Sequence, residues 1–450
     1  MRQLEKQEVR FSSSRAAAGV WGGAACRRWL APVVGLTTIS QGYAQQALRT
    51  SLAGEAAAAA VRVMAVSVKA GDFRLQVTPS LALDWNDNIN LSATDILSDA
   101  ILRPTITVGA TYPLGKRNLL NLDVSVGYSK YVQHDELSQW SVTSQSGSGW
   151  SFDIYINNCS INIHDRFRTS QDAAQESAVA GTGTYGIFEN TAGLSSTWDL
   201  RDVTLTLGYD HENTLSLFDA SSNNSGGQGN LNNNANSMDN TSELFMARVG
   251  LAVHPRLSTG VEGTATFSKR EQSELNDYNS YSLGIFGDWR PGAYFNVQPR
   301  LGYMILDASQ TSVSVKAGNA NSWYGSLTLA HQPNTVLSYS LTAGHEIRAG
   351  IQSDAIESYY VRPSMDWALI RHVTLHTSLF YEHGTLAGGQ PTSLQEKGYD
   401  WYGGGLNLAY SPMKRVVIAL NYRLTLRDSN EASREYAQNM VGLQITYTPQ

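Results

Sequence analysis

Cysteine, charge and long apolar runs are all scarce in this 450-residue chain, and each scarcity removes a class of protein. There are two cysteines. Cys26 lies in a segment expected to be cut away, so the mature chain has no intrachain disulfide and is no disulfide scaffold. Cys159, after Asn157-Asn158 at an expected turn, reads as a small apolar residue near a membrane edge. Charged residues make up 16% of the chain, well below the roughly 25% of a typical soluble domain. A formal net charge of -6 and the lack of a basic stripe give no reason to expect nucleic acid. No apolar run approaches the roughly 20 residues of a membrane-spanning helix. Heptads, Cys/His clusters at zinc spacing and glycine-rich strand-to-helix loops are all missing. No cofactor or metal is therefore expected.

What the chain does have is a two-residue alternation that recurs from about residue 73 to its end. In Val416 to Arg427 one face carries Val416, Ile418, Leu420, Tyr422, Leu424 and Leu426. The other carries Val417, Ala419, Asn421, Arg423, Thr425 and Arg427. Leu120, Leu122, Val124, Val126 and Tyr128 alternate in the same way with Asn121, Asp123, Ser125, Gly127 and Ser129. Side chains on a strand point to alternate faces, so each such run is a strand with one oily and one polar side. The runs are long enough to cross hydrocarbon, which takes about 9–11 residues for a tilted strand. A barrel that is oily outside and wet inside accommodates the 42% hydrophobic content. The 39 Gly, 22 Tyr and 10 Trp suit close-packed strands and interfacial aromatic belts.

Targeting signals agree. Arg27-Arg28, the apolar run Trp29 to Leu36 and the small-x-small site Gly42-Tyr43-Ala44 make residues 1–44 a secretory signal. Residues 45–72, rich in Ala, read as a periplasmic arm or a disordered segment, leaving 73–450 for the barrel. Tight breaks fall at 114–117, 157–158, 199–202, 255–256, 291–292, 332–334, 371–372 and 412–415, with the residue types of hairpin turns. Longer polar stretches lie between them, among them 86–100, 169–185, 214–240 and 383–399. Eight short turns and nine long loops predict an all-β, up-and-down antiparallel transmembrane β-barrel of about 18 strands, short turns facing the periplasm. A propeller would need four short strands per repeat where two long ones occur. Pro79, Pro104, Pro299 and Pro363 face outward by parity and are expected at bulges or strand ends, since proline cannot donate to a ladder. The last strand, Val441 to Tyr447, looks like the terminal signal read by the outer-membrane barrel assembly machinery, although Thr448-Pro449-Gln450 follow its aromatic residue.

Two stretches are distinctive. Leu81-Ala-Leu-Asp-Trp-Asn-Asp-Asn-Ile-Asn-Leu-Ser, followed by Ser98-Asp99 and the strand from Ile101, resembles the opening of the Putative beta-barrel porin 2 family. Ser160 to Gln171, Ser-Ile-Asn-Ile-His-Asp-Arg-Phe-Arg-Thr-Ser-Gln, resembles an internal motif of the same family. The resemblance implies a barrel in the bacterial outer membrane, with relatives associated with exopolysaccharide export. It brings no catalytic residue and no substrate.

The residues themselves carry no catalytic signal. His164-Asp165, Asp210-His211-Glu212 and His345-Glu346 are the close acid–imidazole groupings, and neighbours on a strand point to opposite faces. The chain is therefore not expected to be an enzyme. The polar faces are more telling: Arg103, Asp123, Asp153, His164, Arg166, Arg168, Arg248, Glu262, Asp288, Arg300, Arg348, Arg362, Asp366, Arg423 and Arg427 are expected to line the pore. Facing lipid near the midplane, an Arg would cost roughly 2–4 kcal/mol, so the set is driven inward. Nine of the fifteen are Arg. They either offer fixed donors to anions and sugars or pair with Asp and Glu and fill the lumen. Asp165 falls on the oily face, which calls for a bulge or a place near the rim. The expected function is porin-like passage of small polar or anionic solutes or saccharides, with membrane lipid as the surroundings. The alternative is a non-conducting accessory barrel of an exopolysaccharide export system.

Overall fold

The computed structural model describes residues 68–449 except 116, 144–148, 182–184, 218–238, 271–275, 310–318, 352 and 388–395. The expected signal segment and residues 45–67 of the arm lie outside the described residues. Val68–Ala70 forms a short strand that hairpins onto the first stave of the barrel.

Eighteen antiparallel staves follow, joined neighbour to neighbour. They are β1 (Phe73–Asn86), β2 (Asp99–Leu114), β3 (Asn118–Tyr131), β4 (Gln139–Thr143 and Gly149–Ile156), β5 (Cys159–Ser170) and β6 (Ile187–Leu200). Next come β7 (Val203–Ser216), β8 (Asn240–His254), β9 (Leu257–Arg270), β10 (Asp277–Trp289), β11 (Phe295–Ser309) and β12 (Ala320–His331). The last six are β13 (Leu337–Ala349), β14 (Ala355–Ile370), β15 (Val373–Ala387), β16 (Gly398–Met413), β17 (Val416–Ser429) and β18 (Tyr436–Tyr447). β18 pairs with β1 through Leu443↔Leu83 and Gly442↔Asp84, which closes the ring and leaves no open sheet edge. All eight predicted turns are present. At three of them Asn157, Arg201 and His372 take the left-handed conformation that a two-residue hairpin requires.

The alternation does what the pattern demands. Leu81, Leu83 and Trp85 of β1 are 47–52% exposed, while Asp84 and Asn86 between and beyond them are buried. On β18 Val441, Leu443 and Ile445 are each 46% exposed. Among the described residues no second sheet or helical layer covers this face, and no helix is long and apolar enough to cross a membrane. Hydrocarbon is the medium that buries such a surface, at roughly 1.5–3 kcal/mol for each large apolar side chain. Near the long-loop end the outer face turns amphipathic. Tyr381 donates to Asp400 at 2.8 Å, Tyr402 to Asp428 at 3.0 Å and Tyr422 to Asn439 at 2.8 Å, as befits headgroup depth.

Two expectations about the staves are corrected. Pro104, Pro299 and Pro363 face outward but stand within their strands and make no bulge. Bridges are missing beside each on one side, between Leu102↔Lys130 and Thr105↔Gly127 for Pro104, yet the register continues unshifted. The same holds at Pro299 and Pro363. A missing donor thus opens the ladder locally without displacing it. Asp165 is not at the rim. It pairs with Trp150 beside the interruption of β4, and its carboxylate accepts from Asn190 Nδ2 at 2.6 Å on the same outward face. Between Thr143, opposite Ser125, and Gly149, opposite Asp123, β4 has four residues more than β3.

Candidate functional site

Two of the buried apolar clusters inside the ring gather at its long-loop end, around residues 171–181 and 185–186 of the connection between β5 and β6. Ala173, Ala174, Val179, Ala180 and Tyr185 pack with Leu91, Ile187 and Tyr436. Ala178 packs with Ile356, Phe380, Tyr399 and Trp401 on the far wall. In a ring of eighteen, β5 and β6 stand nine places from β14 and β15. The connection therefore crosses the lumen. Its small side chains let backbone run against the wall, and Gly181, in the left-handed conformation, donates to Leu91 O at 2.8 Å.

Five staves hold the crossing segment. The Glu382 carboxylate of β15 accepts from Ser177 Oγ at 2.8 Å, Tyr399 OH at 2.9 Å, Arg348 Nη2 at 2.8 Å and Arg362 Nη2 at 3.1 Å. Arg348 of β13 also reaches Glu176 Oε1 at 3.1 Å and Ser177 Oγ at 2.6 Å. Arg427 of β17 donates to Ser177 O at 2.8 Å and to Glu396 at 2.6 Å, with its guanidinium 4.7 Å from the centre of the Tyr399 ring. Arg434, from the β17–β18 loop, donates to Ala178 O and pairs with Glu396 at 2.6 Å. At the root of the segment Asp172 meets Arg423 at 2.5 Å and accepts from Ala174 N at 3.2 Å. Charges this deep survive only when paired and hydrogen-bonded, because removing one partner costs about 3–5 kcal/mol.

Burial alone would raise the pKa of Asp172, but Arg423 and Arg103 beside it outweigh that and hold the carboxyl below its ordinary 3.8. A depressed acid stabilises above its unfolded pKa and loses its contribution as pH falls through the folded one. Protection of 171–186 from a protease should therefore stay flat from about pH 8 to about pH 5 and fall only below about pH 4. Loss of protection near neutrality would contradict this bridge.

The fifteen residues singled out by parity all lie on the strand face opposite the exposed apolar one, but they fall into separate groups. Arg348, Arg362, Arg423 and Arg427 meet at the crossing segment. Arg248 and Arg300 share Glu262, at 3.8 and 3.9 Å, with Arg248 stacked 3.6 Å from the centre of the Phe286 ring. His164 lies 3.1 Å from Asp210 and 2.8 Å from Asn162, and Arg166 has the Asp210 carboxylate as its counter-charge. Asp153 accepts from Asn162 at 2.6 Å, whereas one oxygen of Asp123 finds no partner among the described residues. Arg103 pairs with Asp84 and Arg168 with Glu189. Asp288 chelates Arg290, both contacts 3.1 Å. Asp366 meets His376 at 2.8 Å near the short-turn end. Each of the nine arginines thus faces a carboxylate.

Glu262 apart, parity missed the acids that neutralise them. Glu382 sits between Tyr381 and His383, and extending the β15 alternation by two residues would have turned it inward. Asp172, Glu176, Ser177, Glu396 and Arg434 lie on connections, where alternation is silent. The two distinctive stretches have roles here too. Asn86, Asp87, Asn88 and Asn90 are spent on fastening the β1–β2 loop, Asp87 to Asn439 at 2.6 Å and Asn88 to Ala437 O at 3.0 Å. Ser160 to Gln171 forms the stave that launches the crossing segment, braced by Arg168 with Glu189 and by Gln171 with Trp140 O at 2.6 Å.

The family model described as Putative beta-barrel porin 2 matches residues 63–448. Among solved structures, OpdL of Pseudomonas aeruginosa is similar at 12% identity and a TM-score of 0.45, over 84% of this chain and 99% of that one. OccK2 (OpdF) of Pseudomonas aeruginosa, in complex with glucuronate, is similar at 10% identity and 0.47, over 84% and 99%. OccAB3 of Acinetobacter baumannii is similar at 9% identity and 0.45, over 83% and 98%. No curated protein matches the chain.

Proposed function

The chain belongs to the Putative beta-barrel porin 2 family, and on that premise we propose a passive, weakly selective channel for small polar or anionic solutes, narrowed at its long-loop mouth. The barrel resides in the bacterial outer membrane. One observation carries the reading: a buried segment tied to the opposite wall through paired charges. Arg103, Asp123, Asp153, His164, Arg166, Arg168, Arg248, Glu262, Asp288, Arg300, Arg348, Arg362, Asp366, Arg423 and Arg427 line the route. Because their charges are largely matched, size rather than sign governs passage, with the arginine forks offering donors to carboxylates and hydroxyls. Insertion uses the barrel assembly machinery acting on β18.

Planar-bilayer recording of the refolded full-length protein tests this. Small discrete conductances with a modest anion-to-cation permeability ratio are expected, along with slow permeation of glucuronate. The same filled mouth also suits a barrel that does not conduct, the accessory role in polysaccharide export. Protein that inserts, keeps its β circular dichroism and stays silent even after its crossing segment is removed would decide for that second role.

A further inference from the structure

Beside the root of the crossing segment, β15 to β18 together with β1 and β2 enclose a recess of about 210 Å³ lined by Asp84, Arg103, Asn407, Asn421, Arg423 and Gln444. We propose that this recess binds a single sugar unit, a hexose-sized polyol, as a subsite on the solute's route. The inference deepens the channel reading and rests on it.

Size sets the first limit. Pockets for drug-sized ligands run from about 300 Å³ upward, so this one holds one ring and not two. Chemistry sets the second. A hydroxyl both donates and accepts, so a polyol needs walls of mixed sign. Asp84 only accepts, Arg103 only donates, and Asn407, Asn421 and Gln444 can do both. The two asparagines stand directly opposite each other and share one hydrogen bond, Asn407 Nδ2 to Asn421 Oδ1. That leaves an acceptor on Asn407 and a donor on Asn421, the two roles that a hydroxyl can meet at once. Arg423, 3% exposed, forms the floor and is itself held by Asp172 and by Gln438 Oε1 at 3.0 Å.

Other solutes fit poorly. Arg103 is already paired with Asp84 and Arg423 with Asp172, so a dicarboxylate meets no uncompensated cation. Tyr422 borders the recess, but its hydroxyl bonds to Asn439 on the outer face. The one other ring in the lining, the His376 imidazole, is held by Asp366 at 2.8 Å, so an aromatic acid finds no free aromatic face to stack on.

Equilibrium dialysis of the refolded full-length protein in detergent with labelled glucose, galactose and mannose reads the subsite without requiring conductance. Saturable millimolar binding of at least one hexose is expected, displaced by the others and unaffected by benzoate or succinate. Asn407→Leu/Asn421→Leu removes both halves of the amide pair and so leaves no widowed partner. It should weaken binding about tenfold, ~1.4 kcal/mol. Ser378→Trp, which fills the recess from β15, should abolish it. Absence of saturable hexose binding by the unmodified protein would overturn the proposal, and so would equal displacement by benzoate or succinate. Hexose binding with bilayers that stay silent even after the crossing segment is removed would defeat the channel reading and leave the hexose site standing. Conductance without hexose binding would do the reverse.

Discussion

Replacing Ala173 to Ala180 by a short Gly-Ser linker should raise single-channel conductance at least several-fold while leaving the barrel intact. The segment is the one buried apolar body that the described residues place across the lumen, with Val179 at 0% and Ala174 at 1% exposure. A pore filled by apolar side chains passes ions poorly because ions do not enter a dewetted gap. The staves lose nothing essential to closure, since their ladder runs from β1 round to β18 without using the connection. Circular dichroism should keep its β signature, and the thermal midpoint should move less than the conductance does. Some loss of stability is expected, because Glu382, Arg348 and Arg427 each lose a partner. Unchanged conductance would mean that the narrowest point lies elsewhere.

The staves were readable because their information is local. Parity needs about ten residues, and all eight turns fell where polar or left-handed residues interrupt it. Parity also placed Pro104, Pro299 and Pro363 outward. It could not foresee that a lost hydrogen bond leaves the register unshifted, since register is fixed by both neighbours along the stave. The crossing segment was harder to see. The alternation stops at Ser170, and Ala173-Ala174 or Ala178-Val179-Ala180 have neither strand nor helix period. What buries them is contact over long separations: Glu176 reaches Arg348 across 172 residues and Ser177 reaches Arg427 across 250. No window of sequence contains both members of such a pair. For the same reason the arginines were legible and, Glu262 apart, their acids were not. An Arg within a clean alternation declares its face, whereas Glu176, Glu396 and Asp172 acquire theirs only when the loop folds inward.

That asymmetry singles out Glu382→Gln as the substitution with the greatest leverage. In the folded barrel this carboxylate serves Arg348 and Arg362 together and accepts from Ser177 and Tyr399. The glutamine keeps the shape and one acceptor oxygen but removes the charge that two buried guanidinium groups depend on. Breaking a buried pair from one side costs about 3–5 kcal/mol. The cost falls on the state in which the segment is docked, because an undocked segment lets water reach both arginines. At ~1.4 kcal/mol per decade, a loss of 3 kcal/mol shifts the docked-to-undocked ratio by roughly 150-fold. Conductance should therefore rise toward that of the protein lacking the segment, and a protease should cut within 171–186 far faster than in the unmodified barrel. Adding Arg362→Gln restores the charge balance at the cluster, so the double variant should close again in large part. Should Glu382→Gln match the unmodified protein in both conductance and proteolysis, the segment is held by its apolar contacts and the ion pairs merely accompany them.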